Sequence, residues 1–321
     1  MNPAELSPRD AWQRYVDRRR PESTEHSARS YYYSLKLFAE WCEDNQIESV
    51  SDFTGWTFES YETKRSGDDL APITLRREMQ TLKQFVEYLE RIEAVEQGLS
   101  EKVHVPNVDP EDESSDTKLP SDQATALLQH YRQTEPASRR HAVLEVLWHV
   151  GCRLGALRGL DVRDYYPEEQ YLEFHHRPET DTPLKNKMDG ARPVALPDPV
   201  VETLDRYLDS SNYWEKYDDH GRQPLFPSRQ GRPGHNTVRT ICYEATLPCN
   251  YTECPHDRDP ESCEWTKRNQ SSKCPSSRSP HQIRTGSITW QLDSGIPPEV
   301  VSARANVGVQ TLRKHYDKAG A

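Results

Sequence analysis

Residues 279–292 read "SPHQIRTGSITWQL" and have the form of a helix that begins near Ser279. His281 and Arg284 are three residues apart, which places both side chains on one face of that helix. A basic pair at a helix start either binds an anion such as phosphate or lies on the surface as solvated charge. Which interpretation holds depends on whether other residues of the chain suit the same phosphate site.

Further candidates for such a site lie before and after this stretch. Arg153, in "GCRLGALRGLDVRDY", follows an apolar helix and a glycine turn, so it starts a new element whose N–H groups suit a phosphate. Lys185 and Lys187, in "TPLKNKMDGARPVAL", fall at the tip of a predicted hairpin, where a lysine can bind phosphate or transfer a proton. Tyr316, in "TLRKHYDK", lies near the end of the sequence beside His315.

Two arginines, a lysine, a histidine and a tyrosine form a consistent chemical set. Two guanidiniums can hold the non-bridging oxygens of a phosphodiester and offset the charge of a pentavalent transition state. A phenol, with a pKa of about 10 when free, becomes a nucleophile when nearby cations lower that pKa. The set therefore predicts transesterification of DNA.

At this point the sequence resembles the tyrosine recombinase (phage integrase) family, and the resemblance covers nearly the whole chain. The first arginine motif is "GCRLGALRGLDVRD", and the second is "PHQIRTGSITWQLDSGI", followed by "TLRKHYD" around the tyrosine. The segments "KCPSSRSPHQIRTGSITW" and "KHYDKA" resemble in particular the Xer-like integrases of the haloarchaeal branch. The resemblance implies a site-specific DNA recombinase.

The resemblance also implies a role for each matching residue. Tyr316 attacks the scissile phosphate and forms a 3′-phosphotyrosyl bond, while Arg153 and Arg284 clamp the phosphate. The phosphotyrosyl bond conserves the energy of the cleaved bond, so neither ATP nor another catalytic cofactor is required. Duplex DNA and a tetramer of chains on paired DNA sites are the implied partners.

Proton transfer is assigned in the same way. A hairpin lysine protonates the leaving 5′-oxygen, and His281 assists proton transfer. We prefer Lys185 because of its place at the end of the first predicted strand, with Lys187 as the alternative.

Three positions depart from the family pattern. The acidic residue that the family has three places after the first arginine is Ala156, and Thr285 stands where the family usually has a second histidine. The His or Trp of the second motif falls on Asn306 or Val307. Asn306 can donate a hydrogen bond, but its amide cannot act as an acid or base.

The fold class predicted is mainly α with a small β-sheet, in two domains. Residues 1–104 form a helical domain, similar to the SAM-like core-binding domain of the family; 105–118 form an acidic linker; 119–321 form the catalytic domain, which the resemblance identifies as a DNA breaking-rejoining fold. Two strands are predicted, in "EEQYLEFHH" and "ARPVALP".

Residues 248–275 form a cysteine-rich insertion without apolar periodicity. A segment of this kind cannot bury a core of its own, and four thiolates around a tetrahedral zinc ion would stabilise it. The candidate zinc ligands are Cys249, Cys254, Cys263 and Cys274, with His256 as a possible replacement for one of them. The alternative is an unstructured insertion with free thiols or an adventitious disulfide.

The composition restricts location and partners. The chain has 321 residues, 34% of them hydrophobic and 29% charged, with a net charge of -11. No apolar run approaches the roughly 18 residues of a membrane helix and no signal peptide is evident, so we expect a cytoplasmic, nucleoid-associated protein that makes no membrane contact. The acidic balance argues mildly against nucleic-acid binding, unless it is a halophile's adaptation to molar salt.

Two other functions remain open from the sequence. The departures at Ala156 and Asn306 would fit a DNA-binding protein that has lost catalysis. The cysteine insertion would fit a zinc-stabilised regulatory or interaction protein whose arginines are surface charges.

Overall fold

The computed structural model describes residues 3–22, 25–109 and 117–315. The chain divides into two compact units, Met1–Ser115 and Asp116–Ala321, and the division lies inside the stretch predicted as a linker. Each unit has its own apolar core. The described residues are mostly helical with one small sheet, which confirms the predicted fold class.

The N-terminal unit is built from amphipathic helices. These are α1 (Pro8–Arg19), α2 (Glu25–Asp44), α3 (Gly55–Ser66) and α4 (Pro72–Arg91). On α4, Met79, Leu82, Phe85 and Leu89 recur at helical spacing and are buried. They pack in one core with aromatic rings from the other helices, so the sequence stripe on α4 is a packing surface.

The C-terminal unit is organised around one central helix. Its helices are α5 (Ser121–Thr134), α6 (Arg139–Val150), α7 (Leu154–Gly159), α8 (Asp198–Leu208), α9 (His235–Ala245), α10 (Pro280–Asp293), α11 (Pro298–Ala305) and α12 (Val309–His315). Helix α6 is buried on nearly all sides from His141 to Val150 and packs against α5, α8, α9 and α10. A helix surrounded by other helices lies at the centre of the core, and α6 therefore fixes the position of its neighbours.

The small sheet is antiparallel and has three strands. These are β1 (Tyr165–Tyr166), β2 (Tyr171–Phe174) and β3 (Arg192–Ala195), in the order β1-β2-β3. Leu172 lies opposite Val194, and both side chains point into the core. The two predicted strands correspond to β2 and β3, whereas β1 is too short to give a periodic signal.

The prediction that Lys185 stands at the end of the first strand is wrong. Strand β2 ends at Phe174, and residues 175–191 form a long connection with two short 3₁₀ turns before β3. The predicted strand "EEQYLEFHH" ends at His176, two residues beyond the end of β2. In the structure these residues leave the sheet, and the backbone of Arg177 pairs with that of Thr182 instead.

A buried network of charged side chains fixes this connection. Asp161 is 1% exposed and accepts hydrogen bonds from Arg222 Nε at 2.8 Å and from Arg232 Nη2. Arg222 in turn donates from Nη1 to Thr182 Oγ1 at 2.7 Å. Because buried charges are stable only when they are paired, the network holds the segment before Lys185 in one conformation.

Helix α10 passes very close to α6. A Cβ atom on Gly286 of α10 would lie 3.0 Å from the ring of Trp148 on α6 and 2.1 Å from the carbonyl oxygen of Leu119, which precedes α5, so only glycine fits there. Ser287, the next residue, donates a hydrogen bond to the carbonyl of Trp148 near the end of α6. This contact brings the arginine of α10 to the C-terminal end of α6. No described helix is both long and apolar enough to cross a membrane.

Candidate active site

Arg153 lies just beyond the end of α6. Gly151 ends that helix in the left-handed conformation, with φ +66°, and Arg153 is the residue that precedes α7. This confirms the prediction that Arg153 starts a new element. Its guanidinium is half-buried and donates from Nη1 to the backbone carbonyl of Asn306.

Arg284 is the buried member of the second motif. Ser279 caps α10 and exchanges hydrogen bonds with Gln282, so the helix begins where the sequence predicts. Arg284 is 2% exposed and donates from Nη1 to the carbonyl of Gly151 and to the carbonyl of Ala305, both at 2.6 Å. Its guanidinium is therefore held rigidly between the ends of α6 and α11.

Three guanidiniums share one set of acceptors at the end of α11. Arg192 Nε, Arg284 Nη1 and Arg153 Nη1 donate to consecutive backbone carbonyls. These carbonyls, which we call the carbonyl triad, belong to Arg304, Ala305 and Asn306. The last carbonyls of a helix lack intrahelical partners and carry its partial negative charge. The end of α11 thus gathers the two predicted arginines and a third one.

The carbonyl triad contacts Arg153, which lacks the acidic residue expected at the position of Ala156. The family's acidic support would stand there, but the side chain of Ala156 is a buried methyl group. Carbonyl oxygens are neutral acceptors, so the contacts with the carbonyl triad orient Arg153 without neutralising it. The orientation of Arg153 therefore involves main-chain atoms, which a comparison of side-chain types does not reveal.

His281 lies in the first turn of α10 and is exposed on one side. Partial desolvation of the ring lowers its pKa, and the positive charges of Arg284, Arg153 and Lys185 lower it further. The lowered pKa favours the neutral form of the imidazole, and all three cations are close enough to His281 to influence it. The geometry brings together the predicted histidine, both arginines and one lysine.

The two candidate lysines differ in their surroundings. Both are exposed, but Lys185 is the one whose charge acts on His281. Lys187 has a left-handed backbone, with φ +51°, and begins the 3₁₀ turn Lys187–Gly190. These observations favour Lys185, although the reason that the sequence suggested for that choice was wrong.

Asn306 and Val307 occupy the place of the missing second-motif residue. Asn306 follows α11 with φ +53°, and its Oδ1 accepts a hydrogen bond from Asn186 Nδ2 at 2.6 Å. Val307 is 7% exposed and packs in a small apolar cluster. Of the two, only Asn306 has a polar side chain, and that side chain faces the segment with the lysines.

Tyr316 lies outside the described residues. Helix α12 ends at His315, the residue before it. The role of Tyr316 as the nucleophile stays a prediction.

Sequence reasoning missed the residues that support the site. Arg192 donates to the carbonyls of Arg304 and Gly190, and burial lowers the pKa of its guanidinium to about 10. Asn186 is the partner of Asn306. Asn186 lies in a polar loop, and Arg192 begins the predicted strand β3 as one of many arginines in the chain. Neither therefore carried a signal that distinguishes a supporting residue from a surface residue.

The cysteine-rich insertion is closed at its base and contains free thiols. The backbone N–H of Arg278 donates to Thr246 Oγ1 at 2.7 Å, which joins the two ends of the insertion. Among the described residues, no group of three or more His, Cys, Asp or Glu side chains is gathered closely enough to hold a metal ion. The zinc site stays a prediction.

The four cysteines of the insertion nevertheless lie near one another. Burial raises the pKa of the Cys249 thiol, and negative charge at Cys254, Cys274 and Cys263 raises it further. Cys263 and Cys274 are buried, and the Nε2 atom of His256 is buried without a hydrogen-bond partner among the described residues. Two of the four cysteines are thus buried and two are half-buried.

Comparisons with known proteins show which fold this architecture represents. Models of known protein families give no match, and neither do curated proteins. Among solved structures, the Tn1549 transposon integrase in complex with a circular intermediate DNA is 13% identical and has a TM-score of 0.68; the match covers 97% of this chain and 95% of that one. This chain has the fold of the tyrosine recombinases. A lambda integrase tetramer bound to a Holliday junction matches with a TM-score of 0.67 and 14% identity, over 99% of this chain and 79% of that one.

A shorter match covers about a third of this chain. The N-terminal domain of a phage integrase/site-specific recombinase from Haloarcula marismortui is 48% identical, over 32% of this chain and 97% of that domain, with a TM-score of 0.31. The two integrase structures above, at 13% and 14% identity, establish the fold, which is the fold that the arginine motifs led us to expect.

Proposed function

We propose that this chain is a site-specific DNA recombinase that cleaves and rejoins DNA strands through a 3′-phosphotyrosyl intermediate. The observation that carries the proposal is the convergence of Arg153 and Arg284 on adjacent carbonyls of Asn306 and Ala305, with His281 beside them. Two fixed guanidiniums can hold the non-bridging oxygens of a phosphodiester and offset the negative charge of its transition state. The fold, shared with integrases that were solved with DNA, supports the same conclusion.

The proposed reaction is balanced without an external energy source. The phenol of Tyr316 gives its proton to the imidazole of His281, and its oxygen forms a bond to phosphorus as the bond to the 5′-oxygen breaks. Lys185 gives a proton to that leaving oxygen. Arg153 and Arg284 offset the charge on the non-bridging oxygens. Rejoining reverses these steps with a new 5′-hydroxyl, so one phosphodiester is exchanged for another and no cofactor is consumed.

Partners and location follow from this activity. Strand exchange between two duplexes needs four cleavages, so the active form is proposed to be a tetramer on paired sites, as in the lambda integrase complex. Its place of action is the cytoplasm, where the DNA is. The net charge of -11 would be tolerated in molar salt, which fits an origin in a halophile.

We also propose that the insertion binds one structural zinc ion through Cys249, Cys254, Cys263 and Cys274. The proposal is supported by the nearness of the other three thiols to Cys249 and by the burial of Cys263 and Cys274. The side chains are not gathered as a ligand set, so zinc would have to draw them together. Since Cys274 precedes His281 by only seven residues, such an ion would also stiffen the start of α10.

Covalent trapping tests the proposed recombinase activity. A DNA site selected from random duplexes by binding would carry a nick near the scissile phosphate, so that the short leaving strand diffuses away. We expect the native chain to form a protein–DNA adduct that survives denaturant. The Tyr316→Phe variant should bind the site equally well and form no adduct.

The other outcomes distinguish the alternatives. Site-specific binding without an adduct from the native chain would mean a DNA-binding protein that has lost catalysis. No DNA affinity even at low salt, where each phosphate contact contributes most, would favour a regulatory or interaction protein.

A further inference from the structure

Residues 184–190, which we call the lysine loop, contain both candidate lysines. Asn186 lies between Lys185 and Lys187 and donates from Nδ2 to Asn306 Oδ1 at 2.6 Å. The two asparagines are separated by 120 positions in the sequence, so this is a tertiary contact between the lysine loop and the end of α11. Because Asn186 is the neighbour of both lysines in the chain, this contact restrains the backbone on which they stand.

Gly190 makes room for this contact. A Cβ atom at Gly190 would lie 2.7 Å from Nδ2 of Asn306 and 3.2 Å from Cβ of Leu184. The amide of Asn306 therefore lies against the inner side of the lysine loop, where a larger residue at position 190 would displace it. The contact itself is exposed to solvent, with Asn186 exposed and Asn306 half-buried.

The two ends of the lysine loop are held separately. The N–H of Leu184 donates to Nδ1 of His176 at 3.0 Å, and the carbonyl of Gly190 accepts from Nη1 of Arg192 at 2.9 Å. Inside the loop the N–H of Lys187 donates to the carbonyl of Leu184 at 3.0 Å. The contact of Asn186 with Asn306 is the one that ties the centre of the loop to the end of α11.

Asn306 also contacts the arginine clamp through a different atom. Its backbone carbonyl accepts from Arg153 Nη1, while its side chain accepts from Asn186. The backbone at Asn306 is left-handed, which asparagine tolerates better than most residues. One residue thus joins the lysine loop and an arginine of the clamp.

We propose that Asn186 and Asn306 form a positioning pair, which holds the lysine loop against the arginine clamp and so places Lys185 for proton transfer to the leaving oxygen. This inference rests on the proposed recombinase function. Asn306 then acts through other groups, the lysine loop and Arg153, and its side chain has no contact with the scissile phosphate.

The proposal separates proton transfer from phosphate binding. A general acid must lie within hydrogen-bond reach of the atom that it protonates, and a loop released at its centre would not keep Lys185 at that distance. Arg284, which is held by Gly151 and Ala305, does not depend on the pair. Loss of the pair should therefore slow the step that needs a proton and leave DNA affinity unchanged.

A substrate whose leaving group needs no proton tests this separation. In DNA with sulfur in place of the scissile 5′-oxygen, the leaving thiolate is stable without protonation, since a thiol has a pKa far below that of an alcohol. The variants are Asn186→Ala, Asn306→Gly and the double variant; glycine keeps the left-handed backbone and the carbonyl at position 306. Asn236→Ala, at an exposed position on α9, is the matched control.

We expect each single variant to lower the rate of adduct formation on ordinary DNA by about tenfold, part of the 10²–10⁴ that general acid catalysis contributes. On the sulfur-containing DNA the rates should stay within about twofold of the native rate. The double variant should be no slower than the single ones, because both remove one and the same hydrogen bond.

Equal losses on both substrates, or losses that multiply in the double variant, would overturn the positioning role. Both comparisons are made against the native rate, so they can be read only if the native chain forms an adduct through Tyr316. If the native chain forms none on either substrate, the proposed function fails, and this inference fails with it. The two failures are thus distinguished by the behaviour of the native chain.

Discussion

Arg284 and Gly151 are 133 positions apart and are joined by a hydrogen bond of 2.6 Å between Nη1 and the glycine carbonyl. The bond forms because α6 ends in a left-handed glycine at the point where α10 crosses it. The two arginine motifs of the sequence meet through this contact. Its strength determines how rigidly the candidate phosphate clamp is held.

Replacement of Arg284 by lysine should therefore reduce both stability and activity. A lysine cannot reproduce the planar fork of a guanidinium, so buried carbonyls at Gly151 and Ala305 lose a donor. We expect the free energy of unfolding to fall by about 2 kcal/mol and adduct formation to fall by at least about 100-fold. Urea titration and single-turnover trapping measure the two effects.

The control for this prediction is Arg206→Lys. Arg206 lies on the surface of α8 in an ion pair with Glu202, and both side chains are more than half exposed. Exposed pairs of this kind contribute about 0.3–0.5 kcal/mol, so the change should be barely measurable. Equal effects of the two substitutions would contradict the structural role of Arg284.

The titration of His281 distinguishes the two lysines. The pKa of His281 lies below the ordinary value, first because the ring is desolvated and then because of the positive charges of Arg284, Arg153 and Lys185. The ring therefore stays neutral as the pH falls through the ordinary pKa of a histidine. Lys185→Ala removes one of these positive charges and should raise the pKa of His281. Lys187→Ala should change it less. Chemical shifts of the imidazole against pH, measured by NMR in the absence of DNA, test this; equal shifts in the two variants would contradict the assignment of Lys185.

Glu145, a fully buried carboxylate on α6, should make stability depend on acidic pH. Burial by itself would raise its pKa, but interactions with His141 and His149 and the positive charge of Arg132 lower it to about 2. Because the folded value lies below the ordinary value of 4.5, the stabilisation is present above pH 4.5 and is lost as the pH falls toward 2. The difference corresponds to about 3 kcal/mol at most.

The Glu145→Gln variant tests this dependence. It should be less stable than the native chain at pH 7, and the difference should shrink as the pH falls from 4.5 toward 2. Urea unfolding at a series of pH values measures both chains. A difference that stays constant over this range would mean that Glu145 does not titrate with a lowered pKa.

Removal of metal tests the zinc proposal. Protein purified without metal should gain melting temperature when zinc is added, because metal binding and folding of the insertion are coupled. Cys254→Ser and Cys263→Ser should lose bound metal, measured by elemental analysis, whereas Cys42→Ser in the N-terminal unit should keep it. An unchanged melting temperature after zinc is added would refute the structural role.

Much of the fold could be predicted from the residues themselves. The apolar stripe of α4 and the cap at Ser279 are local features, because helix periodicity and capping depend on neighbours three or four positions away. Local reasoning failed between β2 and β3, where Thr182 binds to distant Arg222. The course of that segment depends on a buried ion network that no short window of sequence contains.

The sequence by itself determined which side chains are available for chemistry: Arg153, Arg284, His281 and the lysines belong to recognisable motifs. Only the tertiary structure decided how they are held. The acceptors of the arginines are backbone carbonyls at the end of α11, and every residue type has a backbone carbonyl, so the sequence carries no mark of them. The partner of Asn306 likewise depends on where the chain places Asn186, because an amide can pair with any polar group that packing brings within reach.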